Sequence, residues 1–440
     1  MAWFIILYIL SFALMTISVI LFETNSKKII FWCLVLAFSW VIGYICYILF
    51  FSDRGCINKA LILKSKEDKI YKSLIEYTVD NKESNSALIN FAKQVYGANS
   101  YKNSKMEVFD SNESFSSDVL NSFEKAKSYI IVDTYNFLNG LPVDNVVPFL
   151  IEKQKMGVSV KIIYGKANFK YRKIIKELKF NKVRCCKFKK SISQNRLYKN
   201  NKNIISIDGE MNYIYSKYRE PNKRKHYEIF EQYYKFGGEI VKGIELQSHL
   251  DLSFATRKFY PIQEIKTSNL TSNVEYQYIG SSIENNLLDL LLKAIISAKE
   301  SITIHVDKFI PTESILEAIK LAIKSDVKVR LMISSASRLY GYYTSRSYVK
   351  ELAREGVVCY YFDGQIASNY IIIDNETVLI GNISLIGQEL ITDLQDVMII
   401  SDSKCAKNFD NKFNESVNNS YKLCNPKRVL FREKFFRKFM

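Results

Sequence analysis

Two eight-residue stretches hold the side chains whose types and spacing bear on chemistry. The first runs Asn201-Lys202-Asn203-Ile204-Ile205-Ser206-Ile207-Asp208 and the second Ala367-Ser368-Asn369-Tyr370-Ile371-Ile372-Ile373-Asp374. Positions one, three and eight are Asn201, Asn203 and Asp208 in one copy, and Ala367, Asn369 and Asp374 in the other. A carboxamide can hydrogen-bond but is no useful nucleophile or proton carrier, and Ala367 can do neither. Both Asp residues end a β-branched run and precede a turn residue, Gly209 or Asn375. A strand-to-turn junction is by itself a sufficient reason for Asp. Imidazole chemistry would have to come from His226, His249 or His305, the three histidines of the chain. None has a partner at the spacing of these stretches, and each is read as incidental.

The elements around the stretches also repeat. Phe123-Glu124-Lys125-Ala126-Lys127 followed by Tyr129-Ile130-Ile131-Val132 returns as Ile296-Ser297-Ala298-Lys299 followed by Ile302-Thr303-Ile304. Gly157-Val158-Ser159-Val160-Lys161 returns as Asp326-Val327-Lys328-Val329-Arg330. Three blocks recurring in one order predict a duplicated α/β unit. In the first copy the pattern predicts helices over 116–127 and 147–155, strands over 129–134, 158–164 and 184–188, and the strand 204–208. In the second it predicts strands over 302–306, 327–333, 357–361 and 370–374, with helices over 283–298, 314–323 and 344–355 and a closing helix over 406–421.

This arrangement resembles the phospholipase D superfamily, in which each half carries His-x-Lys-x-x-x-x-Asp at the end of a strand. Several further stretches are similar to bacterial cardiolipin synthases. These are the second apolar run Trp40-Val41-Ile42-Gly43-Tyr44-Ile45-Cys46-Tyr47-Ile48-Leu49-Phe50, then Asn200-Asn201-Lys202-Asn203, Asp307-Lys308-Phe309-Ile310-Pro311, and Ser345-Arg346-Ser347-Tyr348-Val349-Lys350-Glu351-Leu352. The resemblance implies two tandem α/β/α sandwich repeats related by pseudo-twofold symmetry, with the active site between them. It also implies transfer of a phosphatidyl group from one anionic phospholipid to the glycerol hydroxyl of another. One motif His attacks phosphorus, the other protonates the leaving alkoxide, and Lys and Asn side chains hold the phosphoryl oxygens. No metal or other cofactor is implied. This chain departs from the pattern at every reacting position: Asn201 and Ala367 stand for His, Asn203 and Asn369 for Lys. The phosphate-pocket Gly-Gly-x-Asn becomes Tyr215-Ser216-Lys217-Tyr218, with Ser216 and Tyr218 at key positions. After the second stretch Gly381 remains, with Ser384 at the Asn position.

Length and composition fit that frame. The 440 residues can hold two core-containing domains, and 48% hydrophobic content is concentrated at the N-terminus. Uncharged apolar runs over 3–22 and 29–51 are each long enough to cross a membrane, and predict a two-helix transmembrane anchor. Basic residues after the second run place the bulk of the chain in the cytoplasm of a multi-pass cell-membrane protein. Eight cysteines without metal-type spacing imply neither a disulfide framework nor a metal site. Net charge is +17, and fourteen Lys/Arg with one acid, Glu177, fall between Lys166 and Lys202. Clustered cations beside an anchor favour an anionic phospholipid membrane over nucleic acid as partner. The expected lipid-surface cations are Lys170, Arg172, Lys173 and Lys176, with Lys427, Arg428 and Arg432 in a tail that interleaves them with Phe431, Phe435, Phe436 and Phe439.

The expected domains are the anchor over 1–52, a linker over 53–105, phospholipase D-like domains over 106–266 and 272–425, and the basic aromatic tail over 426–440. The leading expectation is a cardiolipin synthase-like pseudoenzyme that binds phospholipid headgroups or regulates a partner, such as an active paralogue. One alternative is an active synthase joining two phosphatidylglycerol molecules. Another is an interaction protein whose cleft is closed, with Tyr215 and Tyr218 filling the pocket.

Overall fold

The computed structural model describes residues 2–22, 26–46 and most of 84–424, with Glu433 and Arg437 beyond them. Of the expected site residues, Lys170, Ser216, Tyr218, Lys427, Arg428 and Arg432 lie outside the described residues, as does His226. Residues 1–69 and 190–198 form one compact unit, and 70–189 with 199–440 a second.

In the first unit, α1 (Ala2–Phe22) and α2 (Ser26–Cys46) are each 21 residues long. They pack through Val19, Trp32 and Leu36, flanked by Phe12, Met15 and Tyr44. The Ser18 and Tyr44 hydroxyls share a 2.9 Å hydrogen bond. Trp3, Ile6, Leu10, Leu14, Leu34 and Ile42 point outward, exposed. Among the described residues no helix is long and apolar enough to cross a membrane. The side chains described without a break on α1 run only from Ile9 to Val19. The two transmembrane helices expected from the sequence are therefore not supported at this level.

The second unit is a mixed α/β fold built on two large sheets. Its first sheet takes strands β2 (Ser104–Phe109), β3 (Tyr129–Asn136), β4 (Ser159–Lys166), β5 (Arg184–Lys187), β6 (Ile204–Ile207), β7 (Met211–Tyr215) and β8 (Tyr233–Gly238) in the order β2-β8-β7-β6-β3-β4-β5. The second takes β1 (Ser100–Tyr101), β9 (Glu275–Gly280), β10 (Ser301–Val306), β11 (Lys328–Ser334), β12 (Val358–Phe362), β13 (Asn369–Ile373), β14 (Thr377–Gly381), β15 (Asp396–Ser401) and β16 (Ser420–Lys422). Its order is β1-β9-β15-β14-β13-β10-β11-β12-β16. Without its edge strands β1 and β16, the second sheet repeats the first strand for strand. β3-β4-β5 and β10-β11-β12 run parallel, while β6 and β13 return antiparallel against β3 and β10.

Helices follow the apolar spacing. On the first sheet, α4 (Asn112–Lys125), α5 (Val146–Lys155) and α6 (Arg172–Phe180) bury Phe115, Val119, Phe123, Leu150, Ile175 and Leu178. The second sheet is covered by α8 (Leu288–Ser297), α9 (Glu313–Lys324) and α10 (Leu339–Arg354). α3 (Ala87–Tyr96), inside the stretch expected as linker, adds Leu88, Ile89 and Ala92 to that second core. A third cluster joins the inner faces of the two sheets through Ile204, Ile214, Tyr234, Met332, Tyr370 and Met398. α7 (Val241–Thr256) and α11 (Ser403–Asn418) pack there too, through Ile244 and Phe409.

Local chemistry explains why the blocks recur. Four helices end alike, with a left-handed residue followed by Val: Gly157-Val158, Lys182-Val183, Asp326-Val327 and Gly356-Val357. In each, the Val amide donates five residues back, to Lys153, Leu178, Ala322 or Leu352, the helix stop of a Schellman motif. Asp208 and Asp374 share a second device. Both have positive φ, as do Gly209 and Asn375 after them, the backbone of a type I′ hairpin turn. The Asp208 carboxylate accepts the amides of Lys127, Ser128 and Tyr129 at 2.6–2.8 Å. Asp374 accepts those of Lys299, Glu300 and Ser301 at 2.7–3.0 Å. Each Asp thus closes the loop that feeds the parallel strand beside it.

Candidate active-site cleft

The first residues of the two motif strands meet the opposite halves of the unit in reciprocal fashion. Asn201 N donates to Leu394 O at 2.7 Å, and Ala367 N donates to Phe230 O at 2.8 Å. The sequence therefore brings Asn201 and Ala367 to one seam, and with Asn369 they line a cavity of about 110 Å³. Gly381 and Ser384 line it as well, joined by Asp307, Lys308, Asn382 and Glu389. Tyr215, expected to fill this space, does not: it is fully buried in the first core beside Phe115. Its position on β7 sends the ring to the helix-covered face of the sheet.

The amides at the third position of each stretch, Asn203 and Asn369, serve the scaffold. Asn203 Oδ1 accepts from Tyr135 N at 3.2 Å, and Asn369 Oδ1 accepts from Asp307 N at 3.0 Å, two backbone positions that correspond in the repeat. Their amide nitrogens reach across the cleft floor, from Asn203 to Asn382 Oδ1 at 3.1 Å and from Asn369 to Ile383 O at 2.5 Å. Asn201 Nδ2 donates to Asp393 Oδ2 at 2.6 Å. Ser384 Oγ donates to Glu389 Oε2 at 2.7 Å. Two carboxylates and one ammonium, Lys308, now line a space that in a phosphoryl-transfer site must be positive.

Behind the cleft lies a buried polar network that the sequence reading missed. Lys202 Nζ bonds Asp251 Oδ2 at 2.6 Å, both side chains almost wholly buried. Asn200 Nδ2 donates to both oxygens of Asp133, at 2.8 and 3.1 Å. Burial, reinforced by nearby Asp251, raises the Asp133 carboxyl well above the usual range. Burial also pushes Asp396 up to about 6, against the hydrogen bond it accepts from Asn382. The one signal in the sequence was the run Asn200-Asn201-Lys202-Asn203 ahead of an apolar strand.

Neither described histidine reaches the cleft. His305 is fully buried, its ring stacked on Tyr370 at 4.6 Å and set against Phe230 at 4.4 Å. Burial holds it down to about 3. His249 lies on the buried face of α7 with Nε2 3.5 Å from Glu245, and burial with nearby Lys161 holds it down to about 4. Both rings stay neutral at physiological pH.

Residues 291–417 match the family described as "Cardiolipin synthase, PLD-like domain". "Probable cardiolipin synthase YwiE" of Bacillus subtilis is 25% identical, covering 92% of this chain and 85% of that protein. A cardiolipin synthase, PLD-like domain thus covers residues 291–417, and over most of its length the chain is similar to cardiolipin synthases. "Major cardiolipin synthase ClsA" of Bacillus subtilis is also 25% identical, over 88% of this chain and 86% of its own length. In fold, the chain is similar to the phosphatidylserine synthase of Haemophilus influenzae Rd KW20. That likeness has a TM-score of 0.60 at 10% identity, covering 80% of this chain and 97% of the other.

Proposed function

We propose that this chain is a membrane-anchored, cardiolipin synthase-like protein that does not itself transfer phosphatidyl groups. It instead binds anionic phospholipid headgroups or regulates a partner, such as an active paralogue. One observation carries the loss of chemistry: all four positions that would act on phosphorus are occupied by amides engaged in scaffold hydrogen bonds, or by Ala367. Removing one member of an interdependent catalytic set costs up to about a millionfold in rate. The anchor reading is supported by the outward apolar side chains of α1 and α2 and by the uncharged apolar sequence runs over 3–22 and 29–51. It places the protein at the cell membrane with its bulk cytoplasmic. The exposed Arg172, Lys173 and Lys176 of α6 support an anionic surface as partner. The domain boundaries at 52, 105, 266 and 425 belong to the same proposal.

A second reading is an active cardiolipin synthase, and the names of the relatives, at 25% identity over most of the chain, favour it at least as well. The deciding experiment incubates the purified full chain with phosphatidylglycerol vesicles and follows cardiolipin and released glycerol. The expected result is no cardiolipin above the protein-free control. Cardiolipin formation that disappears in Asn369→Ala would establish the active reading.

A further inference from the structure

We propose that the tip formed by the C-terminal ends of α5 and α6 is a second membrane contact, one that inserts Phe180 and Met156 into an anionic phospholipid bilayer. This rests on the membrane reading above and names a surface for it. Phe180 is 88% exposed and Met156 66% exposed, the first at the end of α6 and the second just beyond α5. The two helices lead into the neighbouring parallel strands β4 and β5, so their ends sit at one edge of the sheet, roughly one helix spacing of 10 Å apart. An apolar ring left in water at a helix tip is ordinary when alone. Here it has a charged setting that is mainly positive, with Glu152 and Glu177 the exposed acids of the two helix ends. Lys155, Lys176, Lys179 and Lys182 are exposed around the pair.

The repeat supplies an internal contrast. In the second half Leu321 is likewise exposed, at 61%, near the end of α9. There the neighbouring Lys320 is neutralised, lying 2.8 Å from Glu317 and 2.9 Å from Glu351. α9 is the repeat counterpart of α5, so its end offers a comparison in which an exposed apolar side chain sits beside a paired lysine. Lys182 adds a third observation. It holds the left-handed cap position, φ +62°, that Gly157 and Gly356 fill elsewhere. A non-glycine residue there costs about 1 kcal/mol, yet a cation stands at the point of the tip.

Each lysine near an anionic headgroup layer contributes about 1 kcal/mol, so neutralising three lowers attachment on the order of a hundredfold. The test places the photo-crosslinking residue benzoylphenylalanine at Phe180, or at Leu321 as control. The full chain is mixed with phosphatidylglycerol or phosphatidylcholine vesicles, floated and irradiated, and lipid adducts are read by mass spectrometry. Adducts are expected at position 180 on phosphatidylglycerol, several-fold above those on phosphatidylcholine and above those at 321. They should collapse in Lys176→Gln/Lys179→Gln/Lys182→Gly, a variant whose glycine suits the cap. Flotation on both lipids reports the anchor and adducts report the tip, so the two proposals fail separately. Flotation with equal yields at 180 and 321 overturns the tip contact alone. Flotation on phosphatidylglycerol alone, with adducts at 180 above those at 321, upholds the tip and overturns the anchor. No flotation on either lipid overturns both.

Discussion

At the scale of single residues, the amides of Asn203 and Asn369, at the third position of each stretch, hold the scaffold together. Asn369 ties Asp307 N to Ile383 O, so Asn369→Ala leaves a buried amide and a carbonyl unpaired. It should cost about 1–3 kcal/mol in urea unfolding. Asp374→Asn should cost a similar 1.5–3 kcal/mol, because a neutral carboxamide replaces the charged acceptor of three backbone amides. Glu245 makes a pH-dependent case. Burial first, opposed by the nearby Tyr129 hydroxyl and the hydrogen bond from Asn212, raises its carboxyl to about 7. The folded state then holds a proton that the unfolded chain has released above about 4.5. Stability is fully present below that pH and is lost as pH rises through 7, by about 3 kcal/mol. Glu245→Gln should therefore leave stability unchanged at pH 4.5 and raise it by about 3 kcal/mol at pH 8. An equal effect at both values would show that ionisation of Glu245 is not what costs stability.

At the scale of elements, the helix stops make the clearest prediction. Lys182→Gly relieves a left-handed side chain and should raise stability by about 0.5–1 kcal/mol, the gain reduced by glycine's freedom in the unfolded chain. Gly157→Ala should lower it by about 1 kcal/mol through the backbone alone, since an added Cβ would meet nothing within 4 Å. These stops also explain what the sequence could reveal. Gly157-Val158 and Asp326-Val327 stood out as repeated blocks because a left-handed cap followed by a buried β-branched residue is local, and local constraints leave local patterns. The same holds for Asp208 and Asp374, whose strand-to-turn position was legible while the three amides each one caps were not. Those amides lie more than seventy residues away. The cleft shows the same division. Asn201, Ala367 and Asn369 were found from a motif frame, whereas Asp393 and Glu389 came from a segment with no repeat signature. Tyr215 was misplaced because strand polarity, invisible in so polar a context, sends it into the core.

At the scale of the whole molecule, the C-terminal tail is tied to the body by charges that the sequence presented as surface-seeking. Glu433 is fully buried, and both its carboxylate oxygens lie 2.8 Å from Lys350 Nζ on α10. Arg346 approaches the same carboxylate at 3.7 Å. Four residues on, Arg437 bonds Glu351 and lies 4.0 Å over the Tyr348 ring. Residues at i and i+4 thus both bind α10, whose Ser345 also holds Phe309 N at the strand leading from Asp307. A buried ion pair adds little net stability, but breaking it from one side is costly because the remaining charge is stranded. Lys350 has only 4% of its surface exposed, so Glu433→Ala should lower stability by about 3–5 kcal/mol. Adding Lys350→Met should recover most of that loss, since the double variant buries no charge. Arg437→Ala, removing a half-exposed pair, should cost about 1 kcal/mol or less. If the tail instead left α10 to lie on a bilayer, lipid would substitute for the clasp. Glu433→Ala would then unfold at the wild-type urea concentration in phosphatidylglycerol vesicles while remaining destabilised in detergent. A penalty of the same size in both media means that the clasp stays closed at the membrane, leaving the α5–α6 tip as the surface through which the folded body meets lipid.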